Sequence, residues 1–433
     1  MGDLKSLEDI HAAPVDMKAI GERSRRAGRS LAMLSTDLKN QALYNIADGL
    51  INRQEEIISA NKIDYANAVN SGLGVATLDR LLLDSENLEA MASDVMKVAS
   101  LPDPIGETAE INVLPNGLRV GKRSVPLGVI GAIYESRPAV TVDISVLCFK
   151  AGNTVILRGG SEAFESNSVL ALIVREGIEA AGVSAEVVEF IPSTDRALVG
   201  EMLRMKDYID LIIPRGGSEL VRRVGSEATM PAITGGVGVC HIYVDEAANL
   251  DMAVSIVHNA KVQRPYVCNA LDTVLIHSSI ASSFLPKIAD AWSNDGVEMR
   301  CDRRSMSVLG QEKYHDVQLA TEADWGQEFL ALKAAVRMVD SIEDAIDHIE
   351  RYTSGHTEAI VTDNYESAMR FMDQIDAGVV MINASTRFND GAQFGLGAEV
   401  GISTNKMHAR GPIGLKELTS YKWTVFGSGQ IRI

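Results

Sequence analysis

A cysteine at position 268 lies in Lys261-Val262-Gln263-Arg264-Pro265-Tyr266-Val267-Cys268-Asn269-Ala270, just before the apolar run Thr273-Val274-Leu275-Ile276. A helix passing into a strand here leaves the thiol on the connecting turn. A thiolate attacks carbonyl carbon well, and Lys261 and Arg264 would lower the thiol pKa if the fold brings them near. Free cysteine is also among the most buried residue types, so packing competes with catalysis as its role. The other three cysteines, Cys148, Cys240 and Cys301, are widely spaced, with no C-x-x-C pair and no histidine pattern of a zinc site.

Two further segments carry phosphate chemistry. Leu157-Arg158-Gly159-Gly160-Ser161 and Ile213-Pro214-Arg215-Gly216-Gly217-Ser218 each follow a strand-like run and open a helical one. Backbone N–H groups and a helix N-terminus placed there suit a nucleotide phosphate or ribose. Neither is a G-x-G-x-x-G fingerprint, and neither that motif nor a G-x-x-x-x-G-K-[ST] loop occurs in the chain, which argues against an ordinary Rossmann dehydrogenase or a P-loop enzyme. Arg137, Arg264 and Arg387 stand among small or apolar residues, where guanidinium forks suit carboxylate and phosphate, although each can equally pair with a carboxylate of the chain. The glycines of Phe394-Gly395-Leu396-Gly397-Ala398-Glu399 allow close backbone approach to a ligand or simply a tight loop. His241 and His408 are acid–base candidates only in the weak sense that any lone histidine is.

The elements that must position these residues follow from pattern. Residues 19 to about 100 read as helical, with Leu43, Ile46, Ala47, Leu50 and Ile51 on one face. Residues 111–124 read as a hairpin about Asn116-Gly117. Short apolar runs then alternate with helical segments, the βαβ pattern of a parallel sheet covered on both faces. The runs at 128–134, 154–157, 187–191, 209–213 and 241–244 form one series, and a second begins near Asn249 and includes 273–276, 358–361 and 379–382. With 433 residues, 46% of them hydrophobic, two lobes with proper cores are expected. A net charge of −17 opposes a general affinity for nucleic acid or an anionic membrane. Reduced thiols, the lack of an apolar leader and the lack of a membrane-length run point to the cytosol. Met1-Gly2 with Ser6 fits an N-myristoylation spacing too short to carry weight.

Pro126-Leu127-Gly128-Val129-Ile130, Tyr134-Glu135-Ser136-Arg137-Pro138, Val155 to Glu162, Gln263 to Asn269, Asn383-Ala384-Ser385-Thr386-Arg387-Phe388 and His408-Ala409-Arg410-Gly411-Pro412 together resemble the γ-glutamyl phosphate reductases of the aldehyde dehydrogenase superfamily. The resemblance runs from the first helices to Tyr421-Lys422-Trp423. It implies an α/β fold of two Rossmann-like open-sheet lobes plus a small β oligomerisation flap. The cofactor-binding domain would comprise 1–107 and 125–245, the catalytic domain 246–405, and the flap with the C-terminal segment 108–124 and 406–433.

The implied reaction is NADPH-dependent reduction of L-glutamate 5-phosphate to the 5-semialdehyde with release of phosphate, the second step of proline synthesis from glutamate. Cys268 would be the nucleophile, with its own N–H and Asn269 as oxyanion donors. Arg137, Arg264, Ser385 and Arg387 would bind substrate. Arg158, Gly159, Gly160, Ser161, Pro214, Arg215, Gly216, Gly217 and Glu328 would bind the cofactor, Glu328 at the nicotinamide ribose. Oxidising relatives carry a water-activating glutamate in an E-L-G-G-type segment; Ile233-Thr234-Gly235-Gly236 has no acid there, which favours a reductase. NAD-preferring relatives show K-P-A-E where this chain has Arg158-Gly159-Gly160-Ser161, which favours NADP, with Glu162 one residue further on. Two positions depart from the family pattern, Ala139 for asparagine and Val262 for threonine. A homodimer or homotetramer is implied, as is delivery of the labile acyl phosphate by a separate glutamate 5-kinase in transient contact. A relative acting on a different acyl phosphate or aldehyde, and a non-catalytic binding protein, stay open on the sequence alone.

Overall fold

The computed structural model describes residues 15–235, 237–310, 314 and 316–432, with the backbone alone at position 76; Met1, Gly2, Ser6 and Gly236 lie outside the described residues. The chain forms two compact units. One comprises Met1–Thr234, Gly395–Gly401 and Ile413–Ile433, the other Gly235–Phe394 and Ile402–Pro412.

The first unit opens with helices Met17–Leu31, Thr36–Asn52, Gln54–Asn70, Val75–Leu81 and Ser85–Ser100, where the apolar spacing predicts them. Asp16 and Ser35 cap the first two by accepting from Ala19 and Leu38 N–H, and Asp84 with Asn87 forms a capping box on the last. Leu43, Ile46 and Leu50, and Leu88, Met91 and Val95, bury one stripe of their helices. Strands β1 (Thr108–Val113) and β2 (Arg119–Pro126) then pair antiparallel. Gly117 in the intervening turn has φ +83°, a conformation that favours glycine.

A four-stranded parallel sheet follows, built from β3 (Val129–Tyr134), β4 (Thr154–Gly159), β5 (Val188–Phe190) and β6 (Leu211–Arg215) in the order β5-β4-β3-β6. Every residue of β3 and β4 is buried, as a strand covered on both faces requires. Helices Ala139–Lys150, Phe164–Ala180 and Ser218–Glu227 follow β3, β4 and β6. The carboxyl ends of the strands therefore meet helix N-termini, the usual place for a nucleotide in such a sheet.

In the second unit β7 (Cys240–Val244), β8 (Leu271–His277), β9 (Glu298–Cys301), β10 (Val317–Leu319), β11 (Lys333–Val339), β12 (Thr357–Val361) and β13 (Val379–Ile382) make a seven-stranded parallel sheet, ordered β10-β9-β11-β8-β7-β12-β13. This corrects the boundary expected at 245/246. Strand β7 hydrogen-bonds to β8 and β12, so the chain changes units at Thr234–Gly235. Periodicity marks a buried strand but not the sheet that receives it.

β14 (Ile402–Ser403) and β15 (Gly411–Pro412) form a small antiparallel pair. β16 (Thr419–Phe426) then returns to the first unit and pairs along β2, giving the three-stranded order β1-β2-β16. The expected 406–433 segment is thus divided: residues up to Pro412 belong to the second unit, and the strand that joins the flap is Thr419–Phe426. Among the described residues no helix is long and apolar enough to cross a membrane, and no group of three metal-ligating side chains occurs.

Candidate active site

Burial separates the cysteines. Cys148, Cys240 and Cys301 are interior, whereas Cys268 is half-buried. Desolvation, which disfavours a thiolate, pushes the Cys301 thiol up to about 12 and those of Cys148 and Cys240 well above the ordinary range. Cys268 sits between helix Leu250–Val262 and β8, the predicted helix-to-strand turn.

That turn is fixed by contacts from other segments of the second unit. Gly238 packs so tightly on the Cys268 carbonyl that any Cβ there would collide with it. The Cys240 thiol donates to the same carbonyl at 3.2 Å, and the Asn269 amide donates to the Asn389 carbonyl at 2.9 Å. The buried Asn269 side chain, next to Cys268 in sequence, thereby does tethering work whatever else it does. Gly238 also gives its N–H to Glu328 Oε1 at 3.0 Å, so the carboxylate expected at the nicotinamide ribose stands one residue contact away from the cysteine turn.

Of the two cations the sequence offers the thiol, Lys261 is engaged elsewhere. Lys261 is fully buried, its Nζ 3.8 Å from Asp272 Oδ1 and donating to the Ala331 carbonyl at 3.2 Å. Burial holds it below the usual ammonium value, with Asp272 and Cys240 opposing. Its charge serves Asp272. At Arg387 burial lowers the pKa, the neighbouring Cys268 opposes that, and Arg264 reinforces it. Arg387 is therefore the electrostatic neighbour of both Cys268 and Arg264. Arg387 Nε donates to Gln263 Oε1 at 2.8 Å, and the Ser385 hydroxyl accepts from Arg387 N–H at 3.4 Å, capping the short turn that carries the guanidinium. Buried Ser385 thus positions Arg387. Gln263 escaped the sequence reading although it lies in the cysteine motif, because nothing in its type distinguishes a tether from a surface amide. Arg137, in the first unit, is half-buried before helix Ala139–Lys150, its carbonyl accepting from Val140 N–H at 3.0 Å. His241 is buried against Glu358 at 2.9 Å, a structural pair.

Within the first unit, the carboxyl ends of β3 and β4 and the start of helix Ser218–Glu227 enclose a cavity of about 390 Å³. Arg158, Gly160, Ser161 and Gly217 line it. A Cβ on Gly159 would strike Asn167, one on Gly160 would strike Glu162, and one on Gly216 would strike Glu135, so these glycines serve close packing. Pro214 and Arg215 end β6, and Arg215 lies against Gly401, where a Cβ would come within 2.8 Å of its Nη1. The two Arg-Gly-Gly loops are therefore not equivalent, since only Arg158 faces the cavity. Glu162, whose acid stood against an NADP preference, is held by Ser136 N–H at 2.6 Å and Ser136 Oγ at 2.9 Å.

The aldehyde dehydrogenase family model matches residues 6–305 and 333–424. A γ-glutamyl phosphate reductase of Dehalococcoides mccartyi is 54% identical over 98% of this chain and 100% of its own length. That of Caldanaerobacter subterraneus is 50% identical over 96% of this chain and 99% of its own. The crystal structure of the Thermotoga maritima γ-glutamyl phosphate reductase superposes with a TM-score of 0.92 at 44% identity, covering 97% of this chain and 100% of that one. The chain belongs to the aldehyde dehydrogenase family, among its γ-glutamyl phosphate reductases. Within that family its two departures have plain settings. Ala139 begins the helix after β3, and Val262, the last residue of its helix, packs on the second unit's apolar core.

Proposed function

We propose that the chain reduces L-glutamate 5-phosphate to L-glutamate 5-semialdehyde with NADPH, releasing phosphate, as the second step of proline synthesis from glutamate in the cytoplasm. The observation that carries the reading is a half-buried thiol, Cys268, neighbouring the Arg387 guanidinium, which in turn neighbours Arg264. This pairing suits a nucleophile whose substrate is an anionic acyl phosphate.

The Cys268 thiolate adds to the acyl carbon, and the carbonyl π electrons move onto oxygen, where the Cys268 N–H and the Asn269 region stabilise them. Collapse expels phosphate and leaves a thioester. Arg387 and Arg264 hold the substrate's carboxylate and phosphate charges, and Ser385 positions Arg387. Phosphate bound by guanidinium leaves as a weaker base, which speeds the collapse. Arg158 to Ser161 and Pro214 to Gly217 would hold NADPH. The cavity lined by Arg158, Gly160, Ser161 and Gly217, with the helix N-terminus at Gly217, fits such a dinucleotide. NADPH bound there supplies the hydride that takes the thioester to the aldehyde level. Release of the aldehyde returns the thiolate, which Arg387 is placed to stabilise.

The deciding experiment is the reverse reaction, NADP- and phosphate-dependent oxidation of glutamate 5-semialdehyde, with wild type and Cys268→Ala. Activity that needs phosphate and is lost in the variant is expected; activity without phosphate would point to an oxidising enzyme and overturn the reading. Homodimer or homotetramer assembly and transient contact with glutamate 5-kinase belong to the same proposal.

A further inference from the structure

We propose that Arg196, which no motif marks, reads the 2′-phosphate of the cofactor, and that Arg158 acts through it as a positioning residue. The inference rests on the NADPH reading above. Arg158 is 6% exposed, and its guanidinium donates to three backbone carbonyls, Gly159 at 2.9 Å, Thr194 at 3.2 Å and Asp195 at 3.4 Å. Two of these belong to the turn that presents Arg196. Neutral carbonyls absorb the hydrogen bonds of a cation but not its charge, so burial lowers the Arg158 pKa, with Glu162 opposing and the nearby Arg196 reinforcing.

Arg196 itself is exposed, lines the same cavity and, among the described residues, has no carboxylate within ion-pair distance. Its neighbour Asp195 gives its carboxylate to Ala197 N–H at 2.8 Å. Two of the cavity's three carboxylates are engaged likewise: Glu135 accepts from Gly217 N–H at 3.1 Å and Glu162 from Ser136, while Glu219 is exposed on the first turn of helix Ser218–Glu227. Arg223, also lining the cavity, is paired with Glu227 at 3.2 Å. What remains beside exposed Glu219 is a pair of adjacent guanidinium groups, one buried and one open to the cavity. Like charges so placed repel unless an anion joins them. In a dinucleotide-binding βαβ unit the end of the second strand faces the adenosine ribose, where an acid selects a 2′-hydroxyl and an arginine a 2′-phosphate. Strand β4 is that second strand here. Its end carries Gly160 and Ser161 in place of an acid, beside Arg196.

The test compares adenosine 2′,5′-bisphosphate with AMP as calorimetric ligands, and NADPH with NADH as substrates. Wild type, Arg196→Ala, Arg196→Lys and Arg158→Lys are measured. Losing a charge-assisted contact to phosphate reduces affinity roughly 10- to 100-fold. Wild type is expected to bind the bisphosphate at least about tenfold tighter than AMP. Arg196→Ala should bring the two within about twofold and raise KM for NADPH far more than it alters kcat, and the lysine variant should recover part of the preference. Arg158→Lys, which cannot span both carbonyls of the turn, should lower the same ratio. A wild type without preference would reject the NADPH reading itself. A wild-type preference that survives in Arg196→Ala, or loss of AMP binding together with it, overturns the role of Arg196. An intact ratio in Arg158→Lys overturns the positioning role.

Discussion

At Cys268 the sequence motif offers a candidate nucleophile and two candidate cations, Lys261 and Arg264, of which Lys261 is engaged elsewhere. Arg387 stands close to the thiol through the turn capped by Ser385 and tethered to Gln263. Lys261, seven positions before the cysteine, points its charge at Asp272. A helix of known span explains the difference: Lys261 lies on its last turn, facing inward, and the chain must turn before reaching Cys268. Sequence distance therefore misled where topology decided. Arg387→Ala is expected to slow alkylation of Cys268 by iodoacetamide at pH 7 roughly tenfold, since less thiolate is present. Lys261→Met should leave the thiol's reactivity within about twofold in the protein that remains folded. Equal rates for wild type and Arg387→Ala would remove Arg387 from the account of activation.

At the scale of elements, the strands written as apolar runs were legible, including β3, β4, β8, β12 and β13. Strands β9, β10 and β11 were not. Glu298-Met299-Arg300-Cys301 and Lys333 to Val339 mix charges into the run, and Lys333 and Arg300 both bridge to Glu298. Val317–Leu319 is a three-residue edge strand with no pattern to read. Charge also organises the elements around the cysteine turn. Asp272, at the start of β8, accepts from Cys240 N–H at 3.4 Å and Phe329 N–H at 3.0 Å and faces Lys261, so one carboxylate ties β7, β8, the Glu328 loop and the helix before Cys268. Burial pushes Asp272 up to about 6, with Lys261 opposing. A folded value above the unfolded one means the native state binds the extra proton, so this group's contribution worsens as pH rises from about 4 to 6 and stays unfavourable above it. Lys261→Met removes the opposing cation and raises Asp272 further. The expected loss is about 3–5 kcal/mol near pH 8, where the carboxylate is ionised and alone. Near pH 5, where it is protonated, the loss should be smaller. Thermal melts of both proteins across that range measure the deficit in Tm, and a deficit independent of pH would rule out the buried pair as its source.

At the scale of the whole molecule, family membership, two α/β units and a flap follow from the chain, while the flap shows what one copy leaves unfinished. Ladder pairing joins β1, β2 and β16, yet every residue of β1 is exposed and β16 is largely so. The register puts Tyr421, Trp423 and Val425 on one face with Lys122, whose ammonium lies 4.7 Å and 5.2 Å from the first two rings. Phe426 stands on the other face with Arg119 over its ring. Trp423 is 59% exposed, Phe426 61% and Val113 70%, so among the described residues neither face of this sheet rests on a core. A three-stranded sheet needs a buried face to be stable, and its open β1 edge invites pairing. A second copy bound by closed symmetry satisfies both needs at once. Wild type is therefore expected to sediment as a dimer or tetramer at micromolar concentration. Trp423→Glu, which places a charge in the would-be interface, should shift it toward monomer and lower Tm without altering the melting of the Cys268 unit's sheet in hydrogen exchange. A monomeric wild type, or a variant of unchanged mass, would mean that something other than a second copy covers the flap.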